Sequence, residues 1–306
     1  MDNTKKNCEK LKMNNTKGII LAGGSGSRLY PSTLSVSKQL LPAHDKPMIY
    51  YPLSTLMLAG VKDILIITTQ EDNERFKKLL KDGSQWGVSI SYAVQNKPNG
   101  IAEAIIISEN FIKDNNFILI LGDNIFYGNN LISIMNEAMK IKNGATIFAY
   151  SVKNPNRYGV VELNSEGKPM KLIEKPEKTK STLAVTGIYF YDKTAIELAK
   201  KLKPSSRGEY EITELNKMYL EEKRLNVQIM GRGYAWFDAG THSSLFEASQ
   251  FIATIENRQN FKIACPEEIA FNNKYINKEQ LLNIANHYKD NEYSKYLHKI
   301  IEEIYY

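Results

Sequence analysis

The sequence predicts an α/β fold with a mixed, mostly parallel sheet that carries helices on both faces. Short apolar, β-branched runs alternate with helix-like segments over residues 18–152, and a β-α-β-α order is typical of parallel sheets. Several of these runs end in glycine or polar residues, as strands that lead into loops do. Hydrophobic residues make up 42% of the 306 residues and charged residues 24%. This balance supplies a sizeable core and argues against a disordered chain.

The first half of the chain supplies this alternation. Gly18–Ala22 is an apolar run that ends in glycines, so it predicts a buried strand followed by a loop. Asp63–Thr69 is β-branched and predicts the next strand. The other elements expected here are strands at Ser89–Val94, Phe117–Leu121 and Ala145–Val152 and helices at Tyr50–Ala59, Asp72–Lys81, Gly100–Phe111 and Leu131–Lys140.

The order of elements changes from Tyr158 onward. Tyr158–Leu163 and Met170–Ile173 flank a polar turn with a glycine, which predicts a hairpin. The elements expected after it are strands at Ala184–Tyr191, Val227–Met230 and Tyr234–Asp238, helices at Ala195–Leu202 and Glu211–Glu222, and a mostly helical region from Leu245, with a break at Cys265–Pro266. We therefore divide the chain into a disordered tail (1–16), an α/β domain (17–244) and a helical region (245–306).

Composition argues against several classes of function. Lys and Arg number 40 and Asp and Glu 34, a net charge of +6, and the lysines are spread along the chain, so no nucleic-acid partner is expected. The two cysteines, Cys8 and Cys265, form no disulfide framework and no zinc motif, which favours a reducing, cytoplasmic location. No apolar run approaches the ~18 residues that span a membrane. The lysine-rich segment 1–16 lacks the apolar core of a secretory signal.

The most informative stretch runs from Leu21 to Pro42, where a glycine-rich loop follows a strand. Such a loop lets backbone N–H groups approach an anion closely. It is not the dinucleotide fingerprint, because Leu29 stands where a third glycine would follow Gly24 and Gly26. It is not a P-loop either, because no Gly-Lys-Ser/Thr follows at the required spacing. The alternatives that remain are a plain tight turn with solvated charges and an anion-binding loop.

Two cations and two prolines stand at fixed distances from these glycines, namely Arg28, Pro31, Lys38 and Pro42. The stretch resembles the signature of sugar-nucleotide pyrophosphorylases, L-x-G-G-x-G-x-R-L-x-P-x-T-x-x-x-x-K-x-x-x-P. The rest of the chain is most similar to the glucose-1-phosphate thymidylyltransferase branch of that family. The segments that carry this further resemblance are Ser37–Pro42, Lys46–Gly60, Leu121–Gly128, Tyr158–Glu162, Glu174–Pro176, Val185–Asp192, Arg207–Thr213, Trp236–His242 and Phe251–Gln259.

The resemblance implies a Rossmann-like, glycosyltransferase-A type nucleotidyltransferase with a C-terminal helical appendage. It further implies that the enzyme joins dTTP to glucose 1-phosphate with Mg²⁺, acts as a homotetramer and begins dTDP-L-rhamnose or related deoxysugar synthesis. The alternatives are a pyrophosphorylase that uses UTP, CTP or another sugar phosphate, a catalytically silent nucleotide-sugar sensor, and a nicotinamide dehydrogenase. The intact cations and aspartates argue against the sensor, and the missing third glycine argues against the dehydrogenase.

The implied reaction needs no general base, because a phosphate monoester with a second pKa of about 6 is already an ionised nucleophile. The sequence fits this, since no Ser-His-Asp or Cys-His arrangement stands out among its four histidines. The harder task is to bring two polyanions together, which positioning and positive charge accomplish. Asp123 and Asp238 each end or follow an expected strand, where open α/β sheets bind ligands, and Mg²⁺ typically takes one or two carboxylates. The resemblance implies that these two aspartates share the metal.

The resemblance also assigns roles to individual residues. The catalytic set is Arg28, Lys38, Asp123, Lys175 and Asp238. The nucleotide-binding set is Leu21, Gly23, Gly24, Gly26, Ser27, Gln39, Gln95 and Gly100, with Gln95 and Gly100 as the readers of the base. The sugar-phosphate set is Tyr158, Gly159, Glu174, Lys175, Val185 and Arg207. Two positions in or near these sets depart from the family: Ser27 replaces the usual Thr, and Glu103 replaces a common Gln.

A second nucleotide-sugar site at a subunit interface, where the end product dTDP-L-rhamnose inhibits, is a further implication. The matching residues are Tyr127, Gly128, Arg232, Glu268 and Ile269. The family usually has Ala-aromatic-Arg just beyond, whereas this chain reads Ala270-Phe271-Asn272. Because Asn lacks the positive charge that Arg offers a diphosphate, we expect this site to bind its ligand more weakly than in relatives with the Arg.

Overall fold

The computed structural model describes residues 16–303. The expected tail, apart from Thr16, therefore lies outside the described residues. The strands are β1 (Lys17–Ala22), β2 (Pro42–Ala43), β3 (Lys46–Pro47), β4 (Asp63–Thr68), β5 (Ser89–Val94), β6 (Phe117–Leu121), β7 (Asn124–Gly128), β8 (Ala145–Ser151), β9 (Gly159–Leu163), β10 (Pro169–Glu174), β11 (Leu183–Tyr191), β12 (Leu225–Met230) and β13 (Tyr234–Asp238). The α-helices are α1 (Tyr50–Leu58), α2 (Asn73–Leu80), α3 (Ile101–Ile107), α4 (Glu109–Ile112), α5 (Leu131–Met139), α6 (Ala195–Lys200), α7 (Ile212–Glu221), α8 (His242–Gln259), α9 (Pro266–Asn272), α10 (Lys278–His287) and α11 (Glu292–Glu303).

Within the described part of the chain, a nine-stranded mixed sheet forms the centre of the molecule. Its strands β6, β1, β4 and β5 are parallel neighbours, as the alternating first half predicts. The long strand β11 then runs antiparallel to β6, β8 and β9, and β12 pairs with β8 in parallel. The expected hairpin is confirmed, because β10 pairs antiparallel with β9.

Helices cover both faces of this sheet, and β1 shows why. Its side chains alternate between the faces: Ile19 and Leu21 pack with α3, α6 and α7, while Ile20 and Ala22 pack on the side of α1 and α5. The second side also receives α9, α10 and α11, through buried residues such as Leu281. The C-terminal helices therefore share the main core instead of building one of their own.

A two-stranded antiparallel ribbon of β7 and β13 lies outside the main sheet. The sequence predicts β13 but not β7, which follows β6 almost directly and has no turn signal of its own. The helix α8 packs against β13 and begins at His242, so the expected boundary at residue 244 falls within its first turn. It begins there because Thr241 and Ser244 form a capping box.

The helix expected over Gly100–Phe111 is divided into α3 and α4 at Ser108. The Ser108 hydroxyl donates to the carbonyl oxygens of Ala104 and Ile105 at 2.7 and 3.0 Å, and such back-bonding often bends helices. The helix cannot begin before Ile101, because Gly100 has φ of 109°, a conformation that favours glycine. A Cβ at Gly100 would also lie 2.5 Å from the backbone oxygen of Tyr210.

The C-terminal helices are held to the α/β domain by a buried carboxylate. Glu267 at the start of α9 has no solvent exposure. It accepts hydrogen bonds from Trp86 Nε1 at 3.1 Å, Tyr288 Oη at 2.9 Å and Tyr293 Oη at 2.7 Å. These donors come from the turn before β5 and from the region of α10 and α11, so a single side chain joins three segments. Within residues 16–303, no helix is long and apolar enough to cross a bilayer.

Candidate active site

A cavity of about 500 Å³ opens where the carboxyl ends of β1, β6 and β10 meet the loop after β5. The structure brings into its lining most residues that the sequence predicts for catalysis, nucleotide binding and sugar-phosphate binding. They are Leu21, Gly23, Gly24, Arg28, Lys38, Gln39, Gln95, Gly100, Asp123, Tyr158, Gly159, Glu174, Lys175, Val185, Arg207 and Asp238. Gly26 and Ser27 lie in the same loop but not in this lining.

The glycine-rich loop leaves β1 and comes close to two other segments of the site. A Cβ added to Gly23 would lie 3.1 Å from Gln95 Oε1, and one on Gly24 would lie 3.8 Å from Lys38 Cε. Gly26 has φ of 63°, and its carbonyl accepts the Thr33 hydroxyl at 2.7 Å. This bond fixes the return of the loop, so Gly26 has a structural role even though it does not line the cavity.

Two carboxylates, those of Asp123 and Asp238, line the cavity close enough for their charges to interact. Asp123, which follows β6, forms an ion pair with Lys38 and accepts a hydrogen bond from the Asn124 side-chain amide at 2.9 Å. Asp238 is the last residue of β13 and stands opposite Asn124 in the ribbon. The sequence suggests that both aspartates lie at the ligand-binding edge of one open sheet. The structure corrects this reason, because the pairing of β7 with β13, and not the edge of the main sheet, brings Asp238 to Asp123.

The environments of the two carboxyl groups shift their pKa values in opposite directions. Burial would raise the pKa of Asp123, but the Lys38 ammonium and hydrogen bonds from Lys38 and Asn124 together hold it below its usual range. Burial, followed by the negative charge of Asp123, raises the pKa of Asp238. Two adjacent carboxylates that favour different protonation states form a site that an added positive charge would stabilise.

Asp238 is therefore expected to take up a proton at a higher pH than Asp123. Because the pKa of Asp238 is raised in the fold, its protonation adds to the stability of the fold as the pH falls through that pKa. Because the pKa of Asp123 is lowered, its ionised form stabilises the fold at neutral pH, and this contribution is lost as the pH falls through the lowered pKa. Carboxyl-carbon NMR titration of ¹³C-labelled aspartate measures the order, with Asp123→Asn and Asp238→Asn spectra for assignment. A lower midpoint for Asp238 than for Asp123 would contradict this account.

Arg28 and Asp238 both lie close to Gly240. A Cβ at Gly240 would lie 2.6 Å from the Arg28 Nη2 atom and 3.1 Å from Asp238 Oδ1, so only glycine leaves room for both. The guanidinium charge acts against the upward shift in the pKa of Asp238. Together with Lys38, Arg28 adds positive charge to a cavity that otherwise carries two acidic groups at this point.

The second charged group of the cavity lies at the end of the hairpin. Glu174 Oε2 accepts the Thr213 hydroxyl at 2.5 Å, and Glu174 Oε1 lies 3.3 Å from Arg207 Nη2. The expected cation Arg207 is not free here, because Glu211 binds its guanidinium at 2.8 Å. A phosphate in this region would compete with these carboxylates for Arg207.

Glu174 and Lys175 do not point to opposite sides, as two successive strand residues would. Both line the cavity, and Lys175 Nζ is 3.7 Å from Glu174 Oε1. The reason is the backbone: β10 ends at Glu174, and Lys175 has φ of 40°, which turns its side chain out of the strand alternation. Positive φ at a residue other than glycine is a strained conformation that often occurs at functional sites.

Asn124 is a site residue that the sequence analysis did not single out. Its Oδ1 accepts the Trp236 indole N–H at 2.6 Å and the Gly187 backbone N–H at 3.1 Å, while its Nδ2 donates to Asp123. It thereby joins β7, β11 and β13 beside the carboxylate pair. Its position directly after Asp123, a predicted site residue, is the sequence feature that could have identified it.

The residues expected for a second, regulatory site do not line the cavity. Tyr127 packs its ring on Phe251 of α8 with centroids 5.6 Å apart. Arg232 is exposed in the turn between β12 and β13, Ile269 is buried in the core, and Glu268 accepts a hydrogen bond from Tyr296 at 2.8 Å. Gly128 pairs with Tyr234 in the ribbon. These five residues therefore lie on three segments of the chain, namely β7, the turn before β13 and α9.

Residues 17–255 match the family model described as nucleotidyl transferase. The chain is 58% identical over 287 residues to a glucose-1-phosphate thymidylyltransferase of Neisseria meningitidis, covering 94% of this chain and 100% of that protein. The chain belongs to the nucleotidyl transferase family, in the group of the glucose-1-phosphate thymidylyltransferases. A second member of that group, from Xanthomonas campestris, is 55% identical and covers 93% of this chain and 97% of its own length.

Solved structures agree with this placement. A Bacillus anthracis structure assigned as a glucose-1-phosphate thymidylyltransferase has a TM-score of 0.72 at 43% identity, and covers 77% of this chain and 94% of its own. A UDP-glucose pyrophosphorylase complexed with UDP-glucose has a TM-score of 0.69 at 25% identity, with 78% and 98% covered. The predicted fold class, a mixed and mostly parallel nucleotidyltransferase sheet, is therefore confirmed.

Proposed function

We propose that the protein transfers the thymidylyl group of dTTP to α-D-glucose 1-phosphate, giving dTDP-glucose and pyrophosphate. The observation that carries this proposal is the charge pattern of one cavity. Arg28 and Lys38 lie with the two aspartates beside the glycine-rich loop, and Lys175 and Arg207 lie with Glu174 at the end of the hairpin. Two groups of cations in one cavity suit two phosphorylated substrates, and the curated relatives carry the name of this activity.

The reaction is an attack of a sugar-phosphate oxygen on the α-phosphorus of the nucleotide. A new P–O bond forms as the bond from the α-phosphorus to the bridging oxygen breaks, and pyrophosphate leaves with its electron pair. Lys175 and Arg207 hold the sugar phosphate, which is already ionised and needs no base. Arg28 and Lys38 stabilise charge on the triphosphate, and Glu174 accepts hydrogen bonds from sugar hydroxyls. Catalysis here is positioning and electrostatic stabilisation.

The donor set of the cavity fits Mg²⁺. Asp123 and Asp238 are adjacent oxygen donors. Burial and then the negative charge of Asp123 raise the pKa of Asp238, and a divalent cation would offset both effects. Two carboxylates are what Mg²⁺ commonly takes from a protein when phosphate oxygens complete its ligands. When bound, the ion would neutralise charge on those phosphate oxygens.

The test is a pyrophosphate-release assay that crosses five nucleoside triphosphates with several sugar 1-phosphates. We expect dTTP with glucose 1-phosphate to be the best pair and UTP to be a weaker substitute. Thymine and uracil differ by one methyl group, and a methyl in a pocket is worth only ~1–3 kcal/mol. A clear preference for ATP or GTP would overturn the assignment. Preference for UTP would indicate the uridylyl branch, and binding without pyrophosphate release would indicate a sensor.

The wider biological setting is part of the same proposal. We propose a homotetramer that acts in the cytoplasm at the head of dTDP-L-rhamnose or related deoxysugar synthesis. Similarity to the thymidylyltransferases supports the setting, and the buried free thiol of Cys265 fits a reducing compartment. Light scattering of the purified chain measures the assembly.

Inhibition by dTDP-L-rhamnose at a second site is expected to be weak in this protein. Asn272 is exposed at the end of α9, where an Arg would supply a charge-assisted hydrogen bond worth roughly 1.5–3 kcal/mol. Asn272→Arg should therefore tighten inhibition about ten- to a hundredfold and leave the KM for glucose 1-phosphate nearly unchanged. Asn283→Arg, at an exposed position of α10, is the matched control. Tight inhibition of the natural protein that Asn272→Arg does not alter would refute this role.

A further inference from the structure

We propose that Glu103 is a positioning residue for base selection, and that it fixes the amide of Gln95 so that Oε1 faces the nucleotide base. The inference rests on the proposed function, because it concerns how the same cavity chooses its nucleotide. Glu103 lies in the first turn of α3, and it stands where the family resemblance leads one to expect Gln.

Gln95 is held in one place by its backbone and its amide. It follows β5, is 3% exposed, and its backbone N–H donates to the Thr68 carbonyl at 2.8 Å. The side-chain Nε2 donates to Glu103 Oε2 at 2.7 Å and to the Gly100 carbonyl at 3.1 Å. Both protons of the amide nitrogen are thus directed toward α3.

The carboxylate of Glu103 and the carbonyl of Gly100 determine which end of the Gln95 amide carries the oxygen and which carries the nitrogen. A carboxylate and a carbonyl accept hydrogen bonds and cannot donate them. A reversed amide would place Gln95 Oε1 against both oxygens and leave three acceptors without a proton among them. The remaining atom, Oε1, lies on the side of the glycine-rich loop, since a Cβ at Gly23 would be 3.1 Å from it.

The side chain of Glu103 is itself fixed by a hydrogen bond, so it holds the Gln95 amide in one orientation. Its other oxygen, Oε1, accepts the Asn99 side-chain amide at 2.8 Å. The segment that carries Asn99 and Glu103 is bound to the loop before α7. The Tyr210 N–H donates to the Asn99 carbonyl at 2.6 Å, and the Ala102 N–H donates to the Tyr210 carbonyl at 3.2 Å. The orientation of Gln95 is therefore set by contacts within the protein.

An acceptor at this position selects among pyrimidines. The N3 atom of thymine or uracil carries a proton, whereas the N3 atom of cytosine carries a lone pair. Gln95 Oε1 can accept a hydrogen bond from the N3–H of thymine or uracil, and it repels the lone pair on N3 of cytosine. Glutamine at position 103 would both donate and accept, so the two amides could turn together and offer Nε2 to the base, with only the Gly100 carbonyl opposing the reversed amide of Gln95. The carboxylate of Glu103 excludes that exchange.

The experiment compares Glu103→Gln with the matched control Glu109→Gln, which removes a carboxylate from an exposed position of α4 that pairs with Lys200 at 2.6 Å. The measured quantities are kcat/KM for dTTP, UTP and dCTP. Replacing a charged acceptor by a neutral one weakens a hydrogen bond by about a factor of ten. We expect Glu103→Gln to lower the dTTP:dCTP ratio five- to tenfold and to leave the dTTP:UTP ratio unchanged.

Ratios of kcat/KM are independent of the fraction of enzyme that is folded, so a merely structural role would not change them. An unchanged dTTP:dCTP ratio in Glu103→Gln, or an equal fall in Glu109→Gln, would overturn the inference. If Glu103→Gln fails to fold, Glu103→Asp withdraws the carboxylate from Gln95 and must produce the same fall. A natural protein that turns over no pyrimidine nucleotide would instead refute the proposed function itself.

Discussion

Replacing either Asp123 or Asp238 with asparagine is expected to lower turnover at least about a hundredfold, the typical effect of removing one electrostatic stabiliser from an active site. Each substitution keeps the shape of the side chain and deletes a negative charge that would face the divalent cation. The fold of Asp238→Asn should persist, because the change removes a buried charge that also repels Asp123, the two causes that raise the pKa of Asp238. Initial rates of pyrophosphate release, with circular dichroism of each variant, measure both effects.

The matched control for these variants is Asp63→Asn. Asp63 begins β4 and pairs with Lys17 at 2.7 Å, so the change also removes a carboxylate from an ion pair, but away from the cavity. We expect it to keep nearly full turnover. Near-normal turnover in a folded Asp123→Asn or Asp238→Asn variant would show that the cation is held elsewhere.

Glu267→Ala is expected to lower the free energy of unfolding by about 3–5 kcal/mol. The carboxylate is the shared acceptor of Trp86, Tyr288 and Tyr293, and each buried donor left unpaired costs about 1–3 kcal/mol. Loss of buried methylene groups adds to this. Urea denaturation, followed by tryptophan fluorescence, measures the change, and we expect the contact between α9–α11 and the α/β domain to be the part that weakens.

Two comparisons make this prediction specific. Glu268→Ala is the matched control, because the neighbouring Glu268 accepts one hydrogen bond, from Tyr296, and should cost about 1 kcal/mol. Tyr293→Phe removes a single donor and keeps the ring, so its cost should be a fraction of the full effect. Equal losses in Glu267→Ala and Glu268→Ala would show that the shared acceptor is not what holds the helices.

Much of the candidate site could be predicted from the sequence because its signals are local. The glycine-rich loop after β1 and the aspartate after β6 are read from a few neighbouring residues, and spacing alone places Arg28 and Lys38 downstream of the loop. The fold class was predictable for the same reason, since the two-residue period of a strand and the alternation of strands with helices are short-range patterns.

Contacts between distant segments could not be predicted in this way. The pairing of β7 with β13 brings Asp238 opposite Asn124, and no sequence feature near either residue predicts this pairing. The positive φ of Lys175 reverses the side-chain direction that strand alternation predicts. Glu103 was visible only as a departure from the family, and its hydrogen bond to Gln95 gives that departure a physical meaning.

The sequence by itself determined the family, the α/β class and the residue types that carry the charge of the site, because these depend on composition and order along the chain. The tertiary structure decided which of those charges meet. Lys38 neutralises Asp123, and Glu267 joins the C-terminal helices to the main core. Each of these contacts forms when folding excludes water from two or more segments, since a buried polar group must then find its partner within the protein.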